Sequence, residues 1–224
     1  MANVEYEVRG AAGMTGDVRT AALNRQRSVI VGDEVRQWIK EGRVYNAIDG
    51  VLTTPATWTA TDLVRQTPNV MIRVPSGMVV IPLFVNIAAE ATGAAVLQVL
   101  ISTCNNDPGV SNMVAATAIN VNTRFATIAS RVNSYITGTG ATGTAPTNVV
   151  DVFRHYQQVD NDAITGAPTP PIIYNPRFGL GQECVIGNNS TVNAFLVYAV
   201  NGTSSTGFIT FTWAEFTYAE YYGT

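Results

Sequence analysis

His155 is the only histidine in this 224-residue chain, so acid–base chemistry by an imidazole would have to use it. It lies in residues 149–159, a strand-like run in which an extended backbone places Asp151, Phe153 and His155 on one face. A carboxylate there would orient the imidazole, but general base catalysis also needs a nucleophile within hydrogen-bond reach. Cys184, or a serine or threonine, would supply one only through a tertiary contact. We therefore expect a strand or interface histidine.

A glycine-rich stretch at residues 138–143, GTGATG, matches the G-x-G-x-x-G pattern of dinucleotide-binding loops. Such a loop must open a helix whose N-terminus receives the pyrophosphate. Here Pro146 and Asn148 follow, and a β-patterned run comes next. The pattern therefore predicts a flexible Gly/Thr loop between strands.

Metal ligands are sparse in the sequence, and we expect no cofactor. Cys104 and Cys184 lie 80 positions apart, which fits neither a disulfide framework nor a zinc site and predicts two free, buried thiols. Asp160-Asn-Asp162 would attract a hard cation such as Ca²⁺, but Ile164 and Thr165 stand where an EF-hand loop needs an oxygen ligand and glycine. We expect a solvated turn, with a loop-bound ion at a subunit contact as the alternative.

The composition is typical of an all-β protein. Charged residues make up 13%, about half of the usual share, while the chain holds 27 Thr, 18 Asn and 19 Gly. Threonine suits strands, and Asn and Gly supply turn conformations. The net charge is −3 with a single lysine, Lys40, so no basic stripe predicts nucleic-acid binding. No signal peptide and no apolar run of membrane-spanning length is evident, which predicts synthesis in a cytoplasm.

Charge divides the chain into two parts. Residues 1–73 hold nine of the thirteen basic residues, whereas residues 74–224 carry only twelve charges in all. We therefore predict an N-terminal arm or subdomain over residues 1–68 and a β body over residues 69–224.

Within the arm, the sequence predicts two strands and one short helix. Period-two alternation indicates a strand at residues 4–9, and residues 28–31 form a second candidate. A helix is predicted over residues 33–41, because acidic residues come first, Lys40 comes late and Gly42 follows. The aromatic and apolar stripe of this helix predicts a docking surface.

The body is predicted to be a two-sheet sandwich with jelly-roll architecture, because about eight strands alternate with turn signals and no long helix interrupts them. Residues 78–87 form a long strand in which Pro82 indicates an edge or a bulge. Residues 207–218 form the clearest strand, whose Ile209, Phe211 and Trp213 should face inward. Its opposite face is also partly apolar, which suggests burial against another subunit. The other predicted strands cover residues 69–74, 94–102, 118–136, 149–159, 172–177, 182–186 and 191–200.

Residues 74–83 (VPSGMVVIPL), the Gly/Thr-rich middle and residues 201–216 (NGTSSTGFITFTWAEF) together resemble virion structural proteins of bacteriophages. The likeness is to small jelly-roll proteins that decorate or cement capsids. This resemblance implies a virion location on the capsid surface, a homo-oligomer (most simply a homotrimer), and a major capsid or neighbouring shell protein as partner. It implies no catalytic residue. The long spine helix of the usual tailed-phage capsid protein has no counterpart here.

In this hypothesis the arm contacts a neighbouring shell subunit, because a segment that orders on binding buries a large surface. Four arginines would pair with acidic shell surface and two apolar residues would dock. These candidate partner-binding residues are Arg9, Arg19, Arg25, Arg27, Trp38 and Ile39. Deletion of residues 1–50 should then leave a folded body.

Three alternatives remain open at this point. A close variant makes the same fold the shell-forming coat protein itself. A second is a receptor- or carbohydrate-binding head of a phage fibre or spike, which would use loops such as residues 137–148 and 161–171. A third is a hydrolase, which requires a tertiary cluster around His155.

Overall fold

A computed structural model describes most of the chain. The described residues are 5–8, 17–20, 34–51, 53–58, 63–90, 95–136, 144–159, 170–176, 181, 184–201 and 205–223. The chain divides into two compact units, Met1–Gln37 and Trp38–Thr224.

In the first unit, β1 (Glu5–Val8) and β2 (Asp17–Thr20) form an antiparallel pair in which Glu5 lies opposite Thr20. The strand predicted at residues 4–9 is confirmed. The candidate strand at residues 28–31 lies outside the described residues.

The predicted helix is confirmed as α1 (Glu34–Lys40), with Glu34 in its first turn and Lys40 in its last. Gly42 ends it with a φ of +73°, the left-handed conformation that glycine adopts at no steric cost. Its N–H donates to the Ile39 carbonyl at 3.0 Å, which caps the last turn.

In its described residues the body contains thirteen strands, a 3₁₀ turn (Thr123–Phe125) and a C-terminal helix, α2 (Tyr218–Tyr222). The strands before residue 110 are β3 (Val44–Asp49), β4 (Ala56–Trp58), β5 (Val70–Val74), β6 (Met78–Glu90) and β7 (Ala95–Cys104). The later ones are β8 (Val114–Ala115), β9 (Ile119–Asn120), β10 (Asn133–Ile136), β11 (Val150–Val159), β12 (Ile172–Tyr174), β13 (Ile186–Asn188), β14 (Asn193–Asn201) and β15 (Ser205–Thr217).

The strands form two antiparallel sheets that enclose one core. The first sheet has the order β11-β7-β14-β5-β10-β8, and the second has the order β12-β6-β15-β3-β9. Among the eight main strands the pairs are nested: β3 with β15, β5 with β14, β6 with β12, and β7 with β11. One long antiparallel ribbon rolled into two sheets gives this order, which is the jelly roll that the pattern of strands and turns predicted.

The core lies between the inner faces of the two sheets. Ile209, Phe211 and Trp213 of β15 are buried there, at 1% exposure or less, which confirms the inward face predicted for the final strand. They share one apolar cluster with Phe195 and Val197 of β14 in the opposite sheet. The period-two alternation along β15 therefore places one face of this strand in the core between the two sheets.

The bulge predicted at Pro82 is confirmed. Thr212 lies opposite Phe84 and Trp213 lies opposite Pro82, so Leu83 is an extra residue on β6. On the other side of β6, β12 pairs with residues 85–87 and β13 with residues 78–80. Pro82 therefore falls in the gap between them, where its missing N–H breaks no ladder hydrogen bond.

The body begins earlier than the predicted boundary between residues 68 and 69. Residues 44–58 supply β3 and β4, which pair with β15, and Trp58 is completely buried. Its indole ring covers Gly207, where an added Cβ would lie 2.5 Å from the ring. Charge density marked the N-terminal part of the chain as separate, but burial of a few large side chains decides which segment belongs to the core.

Two truncations test this division. A chain of residues 34–224 should unfold cooperatively, whereas a chain of residues 69–224 should not, because it lacks β3, β4 and Trp58. Loss of one buried tryptophan side chain alone costs about 3–5 kcal/mol, against a typical total stability of about 5–15 kcal/mol. Urea denaturation followed by tryptophan fluorescence measures both. Cooperative unfolding of both truncations would contradict the assignment. Deletion of residues 1–50 also removes β3, so this deletion should not leave the folded body that the sequence predicted.

Candidate interaction surface

His155 and Asp151 do not share a face, so the predicted orientation of the ring by this carboxylate is wrong. The register of β11 against β7 shifts between Asp151 and Phe153, which places Val152 in a bulge. Asp151 lies opposite Ser102 on the outer side of the sheet, whereas Phe153 and His155 lie opposite residues whose side chains point inward. The His155 ring stacks on Phe153 instead, with 6.2 Å between ring centroids.

Asp151 binds Arg65 rather than histidine. The Arg65 guanidinium donates to both carboxylate oxygens, at 2.6 and 3.0 Å, and the Ser102 hydroxyl donates to Oδ1 at 2.7 Å. These hydrogen bonds lower the pKa of Asp151. The Tyr198 hydroxyl donates to the Arg65 carbonyl at 2.8 Å. The network fixes residues 63–68 across the outer face of the first sheet.

A second ion pair holds the next covering segment. Arg73 Nε donates to Asp107 Oδ1 at 2.8 Å, a second guanidinium nitrogen donates to Oδ2, and Gly109 N–H also donates to Oδ1. The hydrogen bonds from Arg73 lower the pKa of Asp107. Leu63, Val110 and Met113 then pack on the buried outer-face cluster of this sheet. These segments therefore cover part of the outer face of the first sheet, on which Val96 and Tyr156 remain exposed.

Glu215 is a buried carboxylate on β15, with 5% of its surface exposed. It accepts hydrogen bonds from the Ser130 hydroxyl, the Arg131 N–H and the Trp213 indole N–H. Burial raises its pKa, although these three donors favour the ionised form. It borders a cleft of about 190 Å³ that Arg43, Arg131 and other side chains line. The contacts tie residues 130–131 to the sandwich.

An aromatic cluster lies at the C-terminal end of β15 in the second sheet. The Phe216 ring contacts the Trp38 ring, with 5.1 Å between centroids, and the Tyr221 ring, with 5.7 Å between centroids. The Arg43 guanidinium lies over the Phe216 ring, 5.1 Å from its centroid. Tyr222 in turn packs on Tyr221 at 4.9 Å. Trp38 therefore contacts the body of its own chain, and Tyr221 and Tyr222 remain more than one third exposed.

The other predicted site residues have different positions. The Ile39 carbonyl accepts from the Asn122 side chain at 3.0 Å, so this residue is tied to the body as Trp38 is. The Arg19 backbone pairs with Tyr6 in the first unit. Arg9, Arg25 and Arg27, the Gly-rich residues 138–143 and the acidic residues 160–162 lie outside the described residues. Partner binding by the arm stays a prediction.

The two cysteines are not joined in a disulfide. Cys104 is buried, as predicted, while Cys184 is only half-buried and its Sγ lies 3.7 Å from the Tyr174 hydroxyl. Within the described part of the chain, no three His, Cys, Asp or Glu side chains are grouped so that they could hold a metal ion.

The outer face of the second sheet differs from that of the first. It presents apolar and uncharged polar side chains from five strands, and we call it the open face. Its described residues are Asn46, Ile48, Phe84, Asn86, Ala88, Ile119, Ile173, Phe208, Thr210 and Thr212. None of these side chains carries a charge. The sequence predicts only the part of this face on β15; the alternation within residues 44–49 is a signal for the part on β3.

Comparisons of the chain with protein-family models, with curated proteins and with solved structures find no match. Of the helices described, none has the length and apolar character needed to cross a membrane.

Glu215 and Glu220 provide a test of the electrostatics. Because burial raises the pKa of Glu215, its titration contributes stability that is present in full below the unfolded-state pKa and is lost as pH rises through the folded-state pKa. Glu215→Gln does not titrate, so the excess stability of the wild type over this variant should shrink from mildly acid to neutral pH. Urea denaturation across a pH series measures it.

Glu220→Gln is the matched control with the opposite sign. Hydrogen bonds from Arg43 and Thr217 lower the pKa of Glu220 to about 2, so its contribution is present above the unfolded-state pKa and is lost as pH falls toward 2. The Glu220 side chain is exposed, and the effect should stay below about 1 kcal/mol. The same sign of pH dependence in both variants would contradict the assignment.

Proposed function

We propose that this chain is a structural subunit of a virus particle, a coat protein or a capsid decoration (cement) protein of a bacteriophage. The observation that carries the proposal is the nested pairing of eight strands into a jelly roll, an architecture that recurs in viral capsid proteins. The bacteriophage assignment rests on the resemblance of residues 74–83 and 201–216 to phage virion proteins.

A jelly roll also occurs in lectins and other proteins, so the fold alone does not decide the function. The surface of the body supports the same proposal. All four carboxylates that the structure describes between residues 95 and 223 accept hydrogen bonds from their own chain. The open face, in contrast, exposes Ile48 and Ile119 to solvent. A shell subunit needs such uncharged surface, because it buries much of itself against neighbours.

In this role the β body forms a closed homo-oligomer, with a trimer as the simplest form, and binds a major capsid or neighbouring shell protein. The residues that precede α1 extend the contact to a neighbouring subunit. Arginines in such a segment recognise carboxylates in a planar, bidentate geometry, which suits Arg9, Arg19, Arg25 and Arg27 for an acidic shell surface.

The test is peptide mass spectrometry on virus particles purified by density gradient from a lysate in which this chain is produced. The chain should be a multi-copy component that co-sediments with the shell. A chain of residues 34–224 added to particles lacking the protein should bind at least tenfold more weakly than the full chain if the N-terminal segment makes the contact. Absence of the protein from the particles would overturn the proposal.

A second candidate function is carbohydrate binding by the head of a phage fibre or spike. The aromatic cluster favours it, because Tyr221 and Tyr222 expose ring surface beside the hydrogen-bonding groups of Arg43 and Glu220. A glycan array would show binding that Tyr222→Ala removes and that Tyr156→Ala, an exposed tyrosine on β11, leaves intact. Absence of binding to any glycan would exclude this candidate.

A further inference from the structure

Most of the positive charges in the body are neutralised by the same chain. The structure describes seven cationic side chains in the second unit: Lys40, Arg43, Arg65, Arg73, Arg124, Arg131 and Arg154. Arg43, Arg65 and Arg73 bind carboxylates in ion pairs. The Arg154 guanidinium lies over the Tyr156 ring, 5.2 Å from its centroid. These contacts account for four of the seven cations.

The other three cations, Lys40, Arg124 and Arg131, have no such contact. All three are exposed, and among the described residues none has a carboxylate within ion-pair distance. Lys40 is the last residue of α1, Arg124 lies in the 3₁₀ turn, and Arg131 comes shortly before β10. Burial raises the pKa of Glu215, and the charge of Arg131 opposes this shift without an ion-pair contact.

The segments that carry these three cations pack against each other. The Asn122 side chain donates to the Ile39 carbonyl at 3.0 Å. The Phe125 ring lies against Gly42, where an added Cβ would be 2.7 Å from the ring. Gly42 in turn lines the same cleft as Arg131. The end of α1, the 3₁₀ turn and the residues before β10 therefore form one surface.

This surface combines the three cations with two exposed apolar side chains, and we call it the basic end. Its residues are Lys40, Val121, Arg124, Ile128 and Arg131. Val121 is 43% exposed and Ile128 is 47% exposed. Arginine beside apolar side chains is typical of the surfaces by which proteins bind other proteins.

The carboxylates near the basic end do not cancel its charge. Glu41 and Glu220 accept hydrogen bonds from Arg43, at 2.8 Å and 3.2 Å. Glu215 is buried, and its three hydrogen-bond donors belong to its own chain. Together with Arg43, this end of the second sheet has four cations and three carboxylates. The excess positive charge lies on the exposed side chains that a partner would contact.

Charge and composition select the class of partner. Nucleic acid requires a dense basic stripe that releases many counterions, and three cations separated by apolar residues do not form one. The described part of a second copy is also unsuitable, because its carboxylates between residues 95 and 223 all accept hydrogen bonds from their own chain. An acidic surface on a different protein fits, since guanidinium groups bind carboxylates in a planar, bidentate geometry.

We propose that the basic end binds an acidic surface of a different protein, with Arg124 and Arg131 in ion pairs and Ile128 in the apolar centre of the contact. The proposal rests on the proposed function for the identity of this partner as a shell protein. It deepens that function, because it names the part of the body that contacts the shell, in addition to the residues that precede α1.

The test removes one exposed arginine at a time from the full chain. Arg124→Gln and Arg131→Gln each delete a charge at the basic end, and Arg154→Gln, on β11 of the first sheet, is the matched control. Fluorescein-labelled poly-L-glutamate is the acidic probe and duplex DNA is the nucleic-acid probe. Fluorescence anisotropy at low salt, where charge pairs are least screened, measures both affinities, and thermal unfolding confirms that each variant folds.

Arg124→Gln and Arg131→Gln should each weaken poly-L-glutamate binding about two- to fivefold, as expected for one exposed ion pair, and Arg154→Gln should change it less than about 1.5-fold. Absence of poly-L-glutamate binding, equal effects of the three variants, or tighter binding of DNA than of poly-L-glutamate would overturn the proposal. Self-association of the chain that Arg124→Gln weakens would overturn it too, because the partner would then be a second copy.

Virus particles lacking the protein separate this proposal from the proposed function. They should bind the Arg124→Gln chain more weakly than the wild type, and equal binding of the two would overturn the proposed contact. A chain that shows the expected pattern with poly-L-glutamate but is absent from virus particles would contradict the proposed function and not the charge preference of the basic end.

Discussion

The pairing of β3 with β15 is the constraint on which the rest of the structure depends. It joins Val44 to Ala214, at the two ends of the body, and it brings Tyr45 beside Trp213 in the core. The other three strand pairs lie between β3 and β15 in the sequence, so each of them closes a shorter loop inside the loop that the β3–β15 pair closes. Contacts so distant in sequence stabilise the chain only after their loops have closed, so we expect slow, concerted folding rather than assembly from independent hairpins.

The few charges of the body then determine which surfaces the chain covers by itself. Arg65 and Asp151 fix one crossing segment on the first sheet, and Arg73 and Asp107 fix another. Both pairs are bidentate, which holds an irregular segment in one orientation more effectively than a single contact does. No described segment crosses the centre of the second sheet in this way, and α1 and α2 reach only its end near Phe216. The asymmetry between the two sheets follows from where these arginines lie.

Local patterns predicted much of the fold. Alternation in β15, acidic and basic ends for α1 and a proline in β6 each act within a few residues, and each prediction was confirmed. Predictions that required distant information were incomplete or wrong. The first strand of the body was assigned to the arm because its partner lies about 170 residues away. The relation of Asp151 to His155 was wrong because one bulged residue, Val152, reverses the alternation on which it depended.

The open face could not be predicted from any one segment, since Ile48, Asn86, Ile173 and Thr210 come from four strands and meet only after the jelly roll closes. On each strand separately, one outward-facing isoleucine, asparagine or threonine is ordinary surface. Their juxtaposition changes the physical problem, because the described side chains of the open face then form one surface without a charge. Such a surface is a liability in a free monomer and an advantage in a subunit that spends its lifetime against identical neighbours. The strand order that closes the core is therefore also what assembles the open face.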